Sequence, residues 1–282
     1  MSNVLILGAS GFLGPAIVKK FHKEGVRVGA LSRNPLHSEN KLIKQHSVDI
    51  LNEREIEVVV SEYDIIVNCT GQISNPIHQC LVQNTDGIRN IVAAVKKYNK
   101  KLIHFSSVSV YGSSEYVNEE SKLNPETVYG GIKYFSEYII NQELNDSLIL
   151  RVSNLYGQNQ DKGIMSYLTK QYLLNKKRIF FNNNGEMFRY YLDVNDLASI
   201  VYRLTKIKRI FGTFNVIGPC RLTIKELILK FEYILNYQFS VEYQNMKPVE
   251  NISRIDNNKI NSILSYDFKS SVDKHIGNQK ND

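Results

Sequence analysis

The chain has 282 residues, 43% of them hydrophobic and 22% charged, with a formal net charge of +7 and a pI near 9.1. That length can bury a full core, as one large domain or one domain with a small lobe, and the composition is that of an ordinary globular protein. No apolar run is long enough to span a bilayer. The N-terminus has no basic lead, and its apolar run breaks at Gly8, unlike a secretory leader. Cys69, Cys80 and Cys220 have neither metal nor C-x-x-C spacing, so reduced thiols, a cytoplasmic location and no metal are expected. The basic residues are scattered, and the densest run, Lys176-Lys177-Arg178, reads as a solvated face. Neither nucleic acid nor a membrane is an expected partner, while small phosphorylated anions suit the charge.

Val4 to Leu7 reads as a short buried strand, followed by Gly8, Gly11 and Gly14 and a helix opened by Pro15. A strand, a glycine turn and a helix N-terminus make an anion site, because unpaired backbone N–H groups and the positive dipole end face a ligand that glycine lets approach. The G-x-x-G-x-x-G spacing differs from the common G-x-G-x-x-G dinucleotide fingerprint. Val26 to Leu31 predicts a second strand ending in Ser32-Arg33-Asn34, with no carboxylate before Glu39. A carboxylate there would hold ribose hydroxyls, whereas an arginine meets a 2′-phosphate. The expected cofactor is therefore NADP(H), with NAD(H) as the alternative if Arg33 is only a loop residue.

Val48-Asp49-Ile50 reads as a third strand, 53–60 as a helix, and Tyr63 to Cys69 as a fourth strand running into Thr70-Gly71. Apolar residues from Gln83 to Tyr98 recur at helical spacing, and Lys101 to Ser106 is a fifth strand whose His104 is given no role. Alternating strands and helices predict a parallel sheet covered on both faces, with ligands at the carboxyl ends of its strands. The glycine turn, Arg33, Asp49, Thr70-Gly71 and Ser106-Ser107 all fall at such ends.

Tyr129 and Lys133 stand four residues apart, on one face if helical. A free phenol titrates near 10, and a neighbouring cation lowers it, so Lys133, together with the positive charge of an oxidised nicotinamide, can make Tyr129 a usable acid/base for a hydroxyl proton while hydride moves. Ser107, at the end of the fifth strand, can hydrogen-bond the same oxygen.

These motifs resemble the extended short-chain dehydrogenase/reductase family, in its nucleotide-sugar epimerase, dehydratase and reductase group, over residues 3 to about 265. Gly8-Ala9-Ser10-Gly11-Phe12-Leu13-Gly14 is similar to its cofactor loop, Asp49-Ile50 to its adenine-contacting pair, Asn68-Cys69-Thr70-Gly71 to the loop beside the cofactor, and Asn84 with Gly87 to its N-x-x-G helix start. Ser106 to Gly112 resembles its serine motif. That likeness implies Ser107 as the catalytic hydroxyl with Ser109 as rival, and Tyr129 with Lys133 as the catalytic pair. Further on, Arg151 to Gly157 resembles an R-x-x-N-x-Y-G segment whose asparagine, here Asn154, faces the substrate phosphates. Arg189 resembles the arginine that meets a sugar nucleotide's diphosphate, although Tyr190 replaces the usual Asp and a salt bridge to Asp193 or Asp196 is an alternative. Ser109, Tyr111 and Arg254 complete the substrate residues that the resemblance implies.

The resemblance implies an α/β fold, a Rossmann-type doubly wound parallel sheet with a small C-terminal substrate-binding lobe. Residues 1–155 would form the dinucleotide-binding domain, with segments near 190–217 returning to it, and 156–282 mainly the lobe. The implied function is an NADPH-dependent reductase of a nucleotide-diphosphate 4-keto sugar. Alternatives are an NAD-dependent nucleotide-sugar 4-epimerase using the same residues and a non-catalytic dinucleotide-binding scaffold. A dehydratase is disfavoured because Val108-Ser109 stands where an acid pair is needed. A homodimer through helices at 85–98 and 129–143 is also implied.

Overall fold

The computed structural model describes residues 3–35, 41–71, 76–244, 246–247 and 249–280; Glu39 lies outside them. In chain order the elements are β1 (Val4–Leu7), α1 (Gly14–Lys23), β2 (Val28–Ser32), β3 (Ile43–Ser47), α2 (Glu53–Ser61), β4 (Ile65–Asn68), α3 (Ile77–Lys97) and β5 (Lys101–Ser107). A 3-10 turn, Val108–Tyr111, leads to β6 (Ser114–Val117), α4 (Val128–Glu143), β7 (Leu148–Val152), β8 (Asn154–Tyr156), α5 (Ile164–Leu173) and β9 (Arg178–Phe181). Then come β10 (Phe188–Asp193), α6 (Val194–Thr205), β11 (Gly212–Val216), β12 (Cys220–Thr223), α7 (Ile224–Leu235), β13 (Ser240–Tyr243), β14 (Ile252–Ile255), α8 (Asn258–Asn261) and α9 (Val272–Asn278).

Seven strands form one parallel sheet in the order β11-β7-β5-β4-β1-β2-β3. Its strands β1, β2, β4 and β7 are buried along their whole length, the pattern of a sheet covered on both faces. Ile17 and Phe21 of α1 join Leu197, Ala198 and Val201 of α6 in the core on one face. Ile56 of α2, Ile88 and Ile91 of α3 and Ile140 of α4 fill the other. The chain order reverses between β1 and β4, which opens the ligand crevice of such sheets at the loops after those two strands. Smaller sheets, β12-β10-β8 and β13-β9, enclose a separate apolar cluster that includes Leu168, Ile179, Leu227, Phe231 and Ile276.

Several strand ends shift by one or two residues, and two elements differ more from the sequence reading. The third strand is Ile43–Ser47, not Val48-Asp49-Ile50, which follows it. It is an edge strand in which only His46 is fully buried, so it lacks the apolar signature of its neighbours. The helix read from Gln83 begins at Ile77 behind Pro76, because its first turns expose Ile77, Leu81 and Val82 and blur the periodicity.

A buried ion pair ties α4 to the sheet. Arg151 of β7 donates from Nε and Nη2 to both Glu137 oxygens, with Nη2 at 2.7 Å, and the Ser106 hydroxyl of β5 donates to the same carboxylate. Glu137 is 2% exposed and Arg151 5%. Breaking one side strands a charge in the interior. Glu137→Ala should therefore cost roughly 3–5 kcal/mol, and the Glu137→Leu/Arg151→Met double variant clearly less. Denaturant unfolding of both would check this, and equal losses would contradict it.

Candidate active site

Every strand end of the crevice contributes to one cavity of about 610 Å³. At one end lie Gly8, Ser10, Gly11, Phe12 and Leu13 after β1, with Ser32 and Arg33 after β2 and Asp49 and Ile50 after β3. Thr70 and Gly71 after β4 and Ser107 and Ser109 after β5 follow, then Asn154, Arg189 and Glu250 at the far end.

The glycine turn suits a diphosphate. Helix α1 starts behind Leu13, which gives it no side-chain cap, and its first turn carries no acidic residue, so its positive end is left for an anion. Gly14 does not line the cavity. A Cβ there would lie 2.3 Å from the Gly8 carbonyl oxygen, so its role is to let the helix close onto the turn. Ser32 Oγ is buried with no partner beside Arg33, an unspent polar atom where an adenosine ribose would rest. Arg33 is exposed, and its carbonyl oxygen accepts from Ser47 at 3.2 Å. Asp49 accepts from its own loop, at Leu51 N. These residues fit a nicotinamide dinucleotide.

The catalytic trio comes together on the cavity wall. Thr127 caps α4 by accepting from Gly130 N at 3.0 Å, which starts the helix so that Tyr129 and Lys133 face inward. Gly130 lets α4 approach the 3-10 turn, since a Cβ there would stand 2.6 Å from the Ser109 carbonyl oxygen. The Ser107 hydroxyl lies near enough to the Tyr129 phenol to lower its titration, and it accepts from Ser109 N at 3.2 Å. Lys133 is 4% exposed and donates from Nζ to the Phe105 carbonyl at 2.9 Å.

In the protein alone, burial dominates the electrostatics of the pair. Burial pushes the Tyr129 phenol up to about 12, the Ser107 hydroxyl works against that rise, and the Glu250 carboxylate adds to it. The expectation that Lys133 lowers the phenol joins it with the positive charge of an oxidised nicotinamide; in the protein alone Lys133 is not among the groups that shift the phenol. Burial pushes the Lys133 ammonium down to about 8, against the pull of Cys69, Glu137 and Cys80. Desolvation is the largest influence on both groups.

Three further assignments move. Tyr111 is buried and off the cavity, its hydroxyl donating to Asn215 Oδ1 at 2.7 Å and accepting from Arg151 Nη1 at 2.9 Å. Arg254 is exposed, lies over the Tyr116 ring and does not line the cavity, although Ile252 and Ile255 of the same strand do. Asn84 is fully buried behind Gly71, its amide donating to the Cys80 carbonyl at 2.8 Å; Gln83, one residue earlier on α3, lines the cavity. Arg189 does line it, yet its guanidinium donates to the carbonyls of Phe188, Glu250 and Val249, the first two at 2.9 and 2.8 Å. The alternative salt bridge is not formed, because Asp193 caps α6 and Asp196 holds Tyr266, Lys269 and Ser270. His104 is a buried core residue paired with Asn68 at 3.1 Å, and burial lowers its pKa well below the usual value. Among the described residues no cluster of His, Cys, Asp or Glu could hold a metal.

Several lining residues carried no readable signal, namely 160–165, Tyr190, Tyr191 and Glu250. They come from loops, from the start of α5 and from β10, and nothing in their local pattern marks a ligand wall.

The sheet order, the crevice at its reversal and the trio on its wall define a dinucleotide-dependent oxidoreductase of the short-chain type. The chain belongs to the NAD dependent epimerase/dehydratase family, whose model matches residues 4–216. It is 30% identical over 220 residues to a Methanocaldococcus jannaschii protein provisionally named UDP-glucose 4-epimerase, covering 69% of this chain and 70% of that one. Its fold is similar to that of dTDP-glucose 4,6-dehydratase from Bacillus anthracis in complex with NAD (TM-score 0.87, 20% identity, 100% of this chain and 96% of that one). It is also similar to that of UDP-glucuronic acid 4-epimerase from Bacillus cereus in complex with UDP-glucuronic acid and NAD (TM-score 0.86, 20% identity, 99% and 98%). No helix among the described residues is long and apolar enough to cross a membrane.

Lys133 generates a pH prediction. A base whose pKa falls from 10.5 to about 8 on folding costs stability wherever the unfolded chain holds the proton and the folded chain must bury it. The cost is fully present below about pH 8 and fades as pH rises toward 10.5. Lys133→Met should raise stability at neutral pH by roughly 1–3 kcal/mol, with the gain shrinking above pH 8. Thermal unfolding across that range would check it; a gain independent of pH would contradict the burial account.

Proposed function

We propose that this chain moves hydride at C4 of a nucleotide-diphosphate sugar, and that it does so as a 4-epimerase. The observation that carries the reading is the meeting of Tyr129, Ser107 and Lys133 on one wall of a cavity that also contains the glycine turn. The choice of epimerisation is supported by the 30% identical relative named for that activity and by the family's NAD-dependent description.

Gly8 to Leu13 would hold the dinucleotide's diphosphate, Ser32, Arg33, Asp49 and Ile50 its adenosine end, and Thr70, Gly71 and Lys133 its nicotinamide ribose. When bound, an oxidised nicotinamide supplies a hydride acceptor and a positive charge. Tyr129 takes the proton from the sugar's C4 hydroxyl as hydride leaves and returns it when hydride comes back to the opposite face. Ser107 hydrogen-bonds the reacting oxygen in each step, and between them the keto sugar turns over so that its other face is presented. Lys133 binds and orients ribose hydroxyls through the ammonium that burial has made easy to deprotonate. Asn154, Ser109 and Arg189 bind the sugar and its phosphates, with Arg189 exchanging backbone carbonyls for phosphate oxygens in a forked contact. A homodimer is supported by the exposed Tyr134, Phe135 and Tyr138 on α4, of which Phe135 and Tyr138 stack.

Arg33 favours a second reading, an NADPH-dependent 4-keto reductase, because a cation at the end of β2 suits a 2′-phosphate. The two readings part on the product. Incubated with UDP-glucose or UDP-N-acetylglucosamine and NAD alone, the protein should form the C4 epimer, seen by NMR. No epimer, together with NADPH consumption on a 4-keto sugar nucleotide, would favour the reductase. A non-catalytic scaffold predicts neither. Tyr129→Phe should lower turnover by at least ~10²-fold, and a variant at wild-type rate would refute the assigned chemistry. If Arg33 reads a 2′-phosphate, Arg33→Glu should weaken NADPH at least ~10-fold and leave NADH unchanged in a fluorescence titration. Equal wild-type affinity for the two cofactors would remove the reductase's support.

A further inference from the structure

Glu250 lines the substrate end of the cavity, just before β14, and nothing in its sequence neighbourhood marks it. Its backbone φ is +54°, the left-handed region that a non-glycine residue adopts only at a cost. Four contacts pay that cost. Glu250 N donates to Glu126 Oε2 at 2.6 Å, and the Glu250 carbonyl accepts from Arg189 Nη1 at 2.8 Å. The carboxylate accepts from the Ser109 hydroxyl at 3.0 Å through one oxygen and from the Thr127 hydroxyl through the other. Thr127 caps the helix that carries Tyr129, and Ser109 stands two residues after Ser107. The carboxylate is thus fixed beside the reacting phenol, close enough to influence its titration.

It forms no ion pair with Lys, Arg or His among the described residues. Arg189 is close enough to feel it, but the Arg189 Nη groups are committed to backbone carbonyls. Each carboxylate oxygen accepts one protein hydroxyl and keeps a lone pair for another donor. A wall built this way accepts hydroxyl or amide N–H groups from a sugar and repels a sugar that brings its own carboxylate.

We infer that Glu250 is a specificity-determining residue that selects neutral or N-acetylated sugar nucleotides and rejects uronic acid ones. This rests on the nucleotide-sugar reading above. Glu250 takes no part in hydride or proton transfer; it acts on which sugar settles against Ser109 and Tyr129. The left-handed backbone and the Ser109 and Thr127 hydrogen bonds hold its charge in place against loop motion.

The test is titration calorimetry of the full chain saturated with NAD, using UDP, UDP-glucose and UDP-glucuronic acid against wild type, Glu250→Gln and Glu250→Ala. Wild type should bind UDP-glucose at least ~10-fold more tightly than UDP-glucuronic acid, about 1.4 kcal/mol. Both variants should bring that ratio to within about 3-fold, with UDP as the common reference. The ratio does not depend on the fraction of protein that is folded, and Glu250→Gln keeps an acceptor oxygen for one of the two hydroxyls. A ratio unchanged by both variants, or an equal loss for all three ligands, would make Glu250 a pin for its loop and overturn the inference. If none of UDP, UDP-glucose and UDP-glucuronic acid binds at all, the UDP-sugar reading itself fails and the inference falls with it.

Discussion

The site depends on how α4 is held against the sheet. Tyr129 and Lys133 ride on that helix and Ser107 on β5, so the trio exists only while the two elements keep one register. The Glu137–Arg151 pair, joined by the Ser106 hydroxyl, fixes that register. Such a pair is a weak source of net stability, because desolvating two charges offsets most of their attraction. Its value here is geometric. A carboxylate that accepts from β5 and β7 together tolerates little sliding of the helix that bears it. The Thr127 cap and the close approach at Gly130 fix the other end of the same helix.

The interior that orders the trio also opposes its ionisation. Burial raises the phenol and lowers the ammonium, so each group resists the charged state that the chemistry uses. In the family reading, that tension is relieved only when a positively charged ring and a hydroxyl-bearing sugar fill the cavity. The Glu250 carboxylate raises the phenol further in the protein alone, a separate matter from its part in choosing the sugar. A fixed negative charge counts for more beside a partly desolvated phenol than it would at the surface.

Much of this was readable from residues alone where local pattern and burial agree. The apolar runs of β1, β4 and β7 and the glycine turn before α1 specify a parallel sheet with an anion site at its edge. The four-residue step from Tyr129 to Lys133 specifies one helix face. Reading failed where tertiary contacts overrode local pattern. The edge strand β3 buries only His46 and has no run to detect. Asn84 and Gln83 exchange places because one helical residue is a rotation of about 100°. Tyr111 and Arg254 were carried over by motif, while the structure turns one into the core and leaves the other exposed off the cavity. Glu250 was invisible, since its importance comes from a fold that carries it more than 120 residues back to Thr127.

The central claim is that the phenol, the serine hydroxyl and the ammonium face a nicotinamide whose diphosphate rests on the glycine turn. A crystal structure of the complex with NAD and a UDP-sugar tests it most directly. The account predicts the diphosphate on the backbone N–H groups of Gly11 to Leu13, Lys133 Nζ about 3 Å from a nicotinamide ribose hydroxyl, and the Tyr129 and Ser107 hydroxyls about 3 Å from the sugar's O4. A dinucleotide bound elsewhere, or a sugar whose O4 points away from Tyr129, would contradict it.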